Sequence, residues 1–86
     1  MTFEQLAQNI MTVDDSMRGL AVKTINQAIT LRNWIIGCYI VEYEQNGSDR
    51  ARYGDRLLKS LEQRIGQKGL NVTLFQLSRL FYRDYP

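Results

Sequence analysis

The sequence contains no histidine, one cysteine, and a single proline that is also its last residue. Without histidine the chain lacks the most common general base and metal ligand. The lone Cys38 excludes a disulfide within the chain and a zinc site built from paired cysteines. Glu42 and Glu44, two residues apart on a predicted helix, do not share a face, and no glycine-rich phosphate loop occurs. The sequence therefore predicts a chain that is not an enzyme and needs no cofactor or metal.

Long apolar runs and a signal peptide are also missing from the sequence. An apolar run of about 18 residues would be needed for a membrane-spanning helix. We therefore expect a soluble, cytoplasmic protein without membrane contact. The 86 residues are 44% hydrophobic and 23% charged, which predicts one folded domain over residues 1–86.

The absence of internal proline and the abundance of helix-forming residues predict an all-α fold. The segment TFEQLAQNIM spaces apolar residues as on one side of a short helix. The following TVDDSM is expected to interrupt this helix, with Thr12 or Asp14 capping the next one and Asp15 near its positive end.

From residue 14 to about residue 45 apolar residues recur at helical spacing, which predicts one long central helix. Such a helix would be roughly 46 Å long, whereas a compact domain of this size is only about 31 Å across. It must therefore bend, protrude, or pack against a second copy of the chain. We expect a homodimer through the long helix, with a bent monomer as the alternative. Gly37 is the predicted site of a bend or of close approach by another helix.

Two further helices are predicted in the C-terminal half. Gly47 is expected to end the long helix in a left-handed conformation, and Ser48 or Asp49 to cap a helix that runs to about residue 65. Gly54 is expected to allow close approach on that helix. The last helix follows the short loop GQKGL, with Asn71 as its cap. The apolar positions of these two helices are Leu57, Leu58, Leu61, Ile65, and the pair Leu70 and Phe75 as a hydrophobic staple.

Basic residues concentrate in the same half of the chain. Residues 1–46 carry three basic and five acidic side chains, whereas residues 47–86 carry eight basic and four acidic ones. This asymmetry points to an anionic partner, and the last two helices resemble a helix-turn-helix. In that hypothesis some side chains meet base edges and others neutralise phosphates of double-stranded DNA. The candidate base-contacting residues are Thr73, Gln76 and Arg79, and Arg83 lies on the same helix face. The candidate phosphate-contacting residues are Arg50, Arg52, Arg56, Lys59 and Lys68. The alternative is an ordinary solvated face.

Several short motifs occur together in a fixed order: NWIIG at 33–37, RARYG at 50–54, RLFY at 79–82 and a closing YP. In this combination the chain resembles the YhcG N-terminal domain family over residues 17–86. That family has Tyr-Trp-x-Ile-Gly, Arg-Ala-x-Tyr-Gly and Arg-x-Phe-Tyr runs, so Asn33 replaces a tyrosine here.

The resemblance implies an all-helical module, commonly placed ahead of a PD-(D/E)XK nuclease domain in bacterial proteins. It further implies DNA binding without catalysis by the helical module itself. Two hypotheses follow. The chain is a DNA-binding module that positions a nuclease, or it is an oligomerisation or protein-docking module that does not bind DNA.

Overall fold

The computed structural model describes residues 1–18 and 25–86, and this part of the chain is helical without strands. The prediction of an all-α fold is therefore confirmed. The helices are α1 (Phe3–Arg18), α2 (Ile25–Asn46), α3 (Arg50–Tyr53), α4 (Leu57–Ile65) and α5 (Val72–Asp84), with a 3₁₀ turn at Gly54–Arg56 between α3 and α4. Within the described ranges, no helix has the length and apolar character needed to cross a membrane.

Helix α1 begins with a reciprocal cap and continues further than the sequence predicts. The Thr2 hydroxyl accepts from the Gln5 backbone N–H, and the Gln5 side chain accepts from the Thr2 N–H. The predicted interruption at TVDDSM is wrong, because these residues continue the helix to Arg18. Asp14 caps no helix; it is fully buried and paired with two arginines, which allows this polar stretch to remain helical.

The predicted single helix over residues 14–45 is also wrong. Asp14 Oδ1 lies 2.8 Å from Nη1 of Arg32, 18 residues later, whereas one straight helix would separate these residues by about 27 Å. Residues 14–18 belong to α1, which packs against α2. Residues 19–24 of the predicted helix lie outside the described residues. The homodimer was predicted because one helix of this length would exceed a compact domain. That reason no longer holds, although the homodimer itself stays a prediction.

Helix α2 lies at the centre of the fold because both α1 and α5 pack against it. Gly37 is where the α2 and α5 backbones meet. A Cβ atom at this position would lie 2.0 Å from the Ser78 carbonyl oxygen and 3.0 Å from Cβ of Tyr82. Of the two predicted roles for Gly37, close approach by another helix is thus confirmed.

The connection after α2 is fixed by close packing and by a partly buried hydrogen-bond network. Gly47 does not adopt the predicted left-handed conformation; its φ is not positive, and a Cβ there would lie 2.5 Å from the Tyr43 ring. Asp49 precedes α3, but its side chain does not cap that helix. Instead Asp49 Oδ1 accepts from the Phe3 N–H at 2.8 Å and from the Tyr43 hydroxyl at 2.7 Å. One carboxylate thus joins the start of α1 to the end of α2.

The predicted helix to residue 65 is divided at Gly54. Its φ of 47° is a conformation that favours glycine, and it separates α3 from the 3₁₀ turn and α4. The predicted close approach at Gly54 is wrong, since no heavy atom lies within 4 Å of a Cβ built there. The predicted apolar stripe of α4 is confirmed, because its four members are buried: Leu57, Leu58, Leu61 and Ile65.

The last connection and α5 follow the sequence prediction closely. Gly66 (φ 61°) and Gly69 (φ 89°) turn the chain after α4. The Asn71 side chain accepts from the Leu74 N–H at 2.9 Å, which confirms the cap. Leu70 and Phe75 are both buried in the core, as a staple requires.

Replacing Gly37 by alanine tests the close approach of α2 and α5. On an exposed helix surface this change stabilises by about 1 kcal/mol. Here the new methyl group meets the Ser78 backbone, so we expect a net loss of about 1–3 kcal/mol in the free energy of unfolding, measured by urea denaturation. Gln45→Ala, an exposed position on the same helix, is the control and should change little. A Gly37→Ala variant that is more stable than the wild type would contradict the described crossing.

The Asp49 network predicts a dependence of stability on pH. Hydrogen bonds from the Tyr43 hydroxyl and the Phe3 N–H hold the pKa of Asp49 below its ordinary value of 3.8. A carboxyl group with a lowered pKa in the folded state stabilises the fold above its unfolded pKa, and this contribution is lost as the pH falls through the folded pKa. Asp49→Asn removes the titration while leaving an acceptor oxygen. The wild type should exceed the variant in unfolding free energy by more at neutral pH than at about pH 3. Equal differences at both pH values would contradict the assignment.

Candidate nucleic-acid interface

A polar cleft lies between the beginning of α4 and the outer side of α5. Its main part has a volume of about 350 Å³ and its side part about 240 Å³, and the two share lining residues. We call the two parts together the cleft. The polar and charged side chains that line it, apart from the buried Tyr43, are Arg50, Lys59, Gln76 and Arg79, together with Glu44 and Asp55.

Four of the nine predicted nucleic-acid-binding residues therefore line one cavity, although they come from three different helices. α3 supplies Arg50, α4 supplies Lys59, and α5 supplies Gln76 and Arg79. The sharp backbone turn at Gly54 sets the direction of α4 relative to α3, and Gly54 itself lines both parts of the cleft. The local backbone thus determines that these basic side chains meet at one surface.

Acidic side chains offset part of this positive charge. Glu44 Oε2 lies 2.9 Å from Nη1 of Arg79, and Glu44 Oε1 lies 4.0 Å from Nη2 of Arg83. Arg50 is also engaged, since its Nη1 donates to the Gly47 carbonyl at 2.7 Å. The cleft is therefore moderately basic, and Arg79 is held by α2 rather than extended into solvent.

The other predicted residues lie on the exposed surface around the cleft or beyond it. Arg52, Arg56, Lys68 and Thr73 are exposed, and none of them has an ion pair with another described residue. The Arg52 guanidinium carbon lies 5.9 Å from the centre of the Tyr53 ring. Because the three cations Arg52, Arg56 and Lys68 form no ion pair with a described residue, each can contact a phosphate without first breaking one.

Arg64 differs from these cations in its location and in its partner. Its Nε donates to Glu4 on α1 at 2.9 Å, and its Nη2 also contacts that carboxylate. The ion pair lowers the pKa of Glu4 and raises that of Arg64. Arg64 is therefore the natural reference residue for experiments on the other arginines.

A second surface, on α2 and α5, is apolar. Leu77 is 61% and Leu80 53% exposed on the outer side of α5. Phe81, four residues after Leu77, lines a cavity of about 460 Å³ together with Leu31 and Trp34 of α2. We call Leu31, Trp34, Leu77, Leu80 and Phe81 the apolar face. Exposed large apolar side chains grouped in this way are typical of protein-binding surfaces.

The sequence reasoning missed Glu44 as a member of the site. It considered Glu44 only as a catalytic partner of Glu42, but the carboxylate instead pairs with an arginine 35 residues later. No local signal predicts such a pair, because it depends on how α2 crosses α5. The proximity of Arg79 to Arg83 at helical spacing is the only part of this cluster that the sequence contains.

Among the described residues, no group of three or more histidine, cysteine, aspartate or glutamate side chains is placed to hold a metal ion. The cleft instead combines guanidinium, ammonium and amide groups, which are donors suited to phosphate oxygens and base edges.

Comparisons with known proteins agree with the sequence motifs. A family model described as the DUF1016 N-terminal domain matches residues 9–86. The Escherichia coli (strain K12) protein "Putative nuclease YhcG" is 34% identical over 83 residues, covering 93% of this chain and 22% of that protein. The chain therefore spans about a fifth of the length of this curated relative. No solved structure gives a significant match.

The family match extends from the middle of α1 to the last residue, so it includes α2, the cleft and α5. The motifs at 33–37, 50–54 and 79–82 lie on α2, α3 and α5, which are the elements that form the α2–α5 crossing and the cleft. The chain belongs to the DUF1016 N-terminal domain family, to which the YhcG-like motifs point.

Proposed function

We propose that this domain is a non-catalytic DNA-binding module of a nuclease-associated bacterial protein. In this proposal it positions a nuclease, present in the same chain or as a partner, on double-stranded DNA. The observation that carries the proposal is the cleft, where basic side chains from α3, α4 and α5 meet. The name of the similar E. coli protein adds the association with a nuclease.

The exposed cations next to the cleft supply the electrostatic part of the binding. Arg52 and Arg56 lie on either side of the Gly54 turn and are both exposed. Phosphate contacts by such residues release counterions from DNA, which gives affinity without sequence preference. These two arginines are therefore the proposed backbone anchors.

Helix α5 supplies the groups that would meet bases. Thr73 and Gln76 are exposed on its outer side, and a glutamine amide pairs well with adenine in the major groove. Arg79 is less available, because Glu44 holds one of its terminal nitrogens. We therefore propose that Thr73 and Gln76 approach the groove first and that α5 acts as the recognition helix.

Replacing both Arg52 and Arg56 by alanine tests the phosphate anchors. We expect weaker binding to every short duplex, by a similar factor for unrelated sequences, because phosphate contacts do not read bases. The slope of log K against log salt should become shallower by about 1.8, the value for two lost phosphate contacts. Fluorescence anisotropy between about 50 mM and about 200 mM salt measures both quantities.

The matched control compares the single variants Arg56→Ala and Arg64→Ala. Both remove one positive charge, but Arg64 is paired with Glu4 away from the cleft. Only Arg56→Ala should lower DNA affinity and flatten the salt dependence. Equal effects of the two variants, or an unchanged double variant, would refute the assigned phosphate anchors.

A second candidate function, oligomerisation or protein docking, is supported by the apolar face. Leu77 and Leu80 expose large side chains that water solvates poorly. A second copy of the chain packed against this face would give a homodimer through α2 and α5. The two functions are compatible, because the apolar face and the cleft are lined by different residues.

Light scattering on a Leu77→Gln, Leu80→Gln variant tests this second function. If the apolar face joins two copies, the wild type has twice the mass of one chain and the variant has the mass of a single chain. Gln76→Ala, an exposed position on the same helix that lines the cleft and not the apolar face, should keep the wild-type mass. A single-chain mass for the wild type at every concentration would exclude the homodimer.

A further inference from the structure

One carboxylate stands between two of the cations assigned to DNA. Glu44 Oε2 accepts from Nη1 of Arg79 at 2.9 Å, and Glu44 Oε1 is 4.0 Å from Nη2 of Arg83. The side chains of Glu44 and Arg79 are only 30% and 27% exposed. Partial removal from water strengthens their attraction relative to that of a fully exposed pair. Glu44 therefore occupies the place that an anion would take against these two arginines.

The geometry of Arg79 limits what else it can bind. A guanidinium group holds a phosphate best through two parallel N–H groups on one edge. The edge that contains Nε is closed, because Nε of Arg79 is buried. The remaining edge consists of the two terminal nitrogens, and Glu44 already holds Nη1. Each terminal nitrogen carries two N–H groups, so a phosphate that binds this edge of Arg79 lies directly beside the Glu44 carboxylate and competes with it for Nη1.

Glu44 also differs from its target arginines in where it is anchored. Arg79 and Arg83 lie four residues apart on α5, whereas Glu44 belongs to α2. The α2–α5 crossing at Gly37 holds the carboxylate beside α5 whether or not the arginines turn away. A phosphate that approached Arg79 would therefore also meet the negative charge of Glu44.

We propose that Glu44 is an internal competitor of the DNA phosphate, an autoinhibitory contact that keeps Arg79 and Arg83 from binding DNA at full strength. This inference rests on the proposed function of the cleft. DNA bound through Arg52 and Arg56 alone would leave the contact intact. Tighter binding through α5 would bring a phosphate oxygen into competition with this carboxylate for Arg79.

Glu44→Gln tests the proposal because the amide keeps the shape of the side chain and removes its charge. We expect the variant to bind a short duplex roughly threefold more tightly, the effect of removing one like charge about 6 Å from a phosphate at the dielectric constant of bulk water. Glu42→Gln is the matched control: it lies on the same helix, removes the same charge, and is exposed on another side of α2. Thermal melting of all variants checks that they are folded.

The arginines themselves provide the second comparison. In a background of Arg79→Gln with Arg83→Gln, the gain from Glu44→Gln should disappear, because no arginine then draws a phosphate to the neighbourhood of the carboxylate. Binding that tightens equally in Glu44→Gln and Glu42→Gln would overturn the proposal while leaving DNA binding in place. Weaker binding by Glu44→Gln than by Glu42→Gln would also overturn it, since Glu44 would then position the arginines. No binding by the wild type or by any variant would refute the proposed function together with this inference.

Discussion

The close approach of α2 and α5 at Gly37 is the constraint on which the other features depend. With no side chain at this position, the Ser78 carbonyl can lie 2.0 Å from where a Cβ atom would be. The same crossing places Glu44 beside Arg79, at the end of α2 that faces the cleft. It also places Trp34 against Tyr82, with ring centres 5.1 Å apart, on the opposite side of Gly37 along α2 from Glu44. One glycine thus determines the positions of both candidate surfaces.

The Asp49 carboxylate is the second fixed point of the fold. It binds the first turn of α1 and the Tyr43 hydroxyl of α2, directly before α3 begins. Burial and the neighbouring Asp49 raise the pKa of Tyr43, so its hydroxyl stays protonated and continues to donate. Arg50 and Arg52 follow in the next residues, and their placement therefore depends on this network.

Local signals in the sequence predicted the fold well where neighbouring residues decide the structure. The Asn71 cap, the buried stripe of α4 and the all-α class are set by short-range hydrogen bonds and apolar spacing. The prediction of one long helix from residue 14 was wrong. In the sequence Asp14 is typical of a capping residue, whereas in the structure it pairs with Arg32, 18 residues later. Gly47 and Gly54 exchanged their expected roles, since only the packing around each shows which one needs a positive φ.

The sequence predicted which basic and polar residues belong to the candidate site, but only part of how these side chains are arranged around the cleft. Exposure follows from the polar face of α4 and α5, so Lys59 and Gln76 could be found from spacing alone. The ion pair between Glu44 and Arg79 could not be predicted from spacing, because the two residues lie 35 positions apart on different helices. The charge count of the C-terminal half therefore overstates the positive charge that a partner would meet in the cleft.

A nuclear magnetic resonance titration of the isotope-labelled chain with a short DNA duplex tests the central claim most directly. If the cleft and its surroundings bind DNA, the amide shifts should change most at residues 50–60 and at the cleft-lining positions Gln76 and Arg79 of α5. Helix α1 and the region around Arg64 should change little. Changes confined to the apolar face, or no changes in a folded chain at low salt, would contradict the account and leave assembly as the role of this domain.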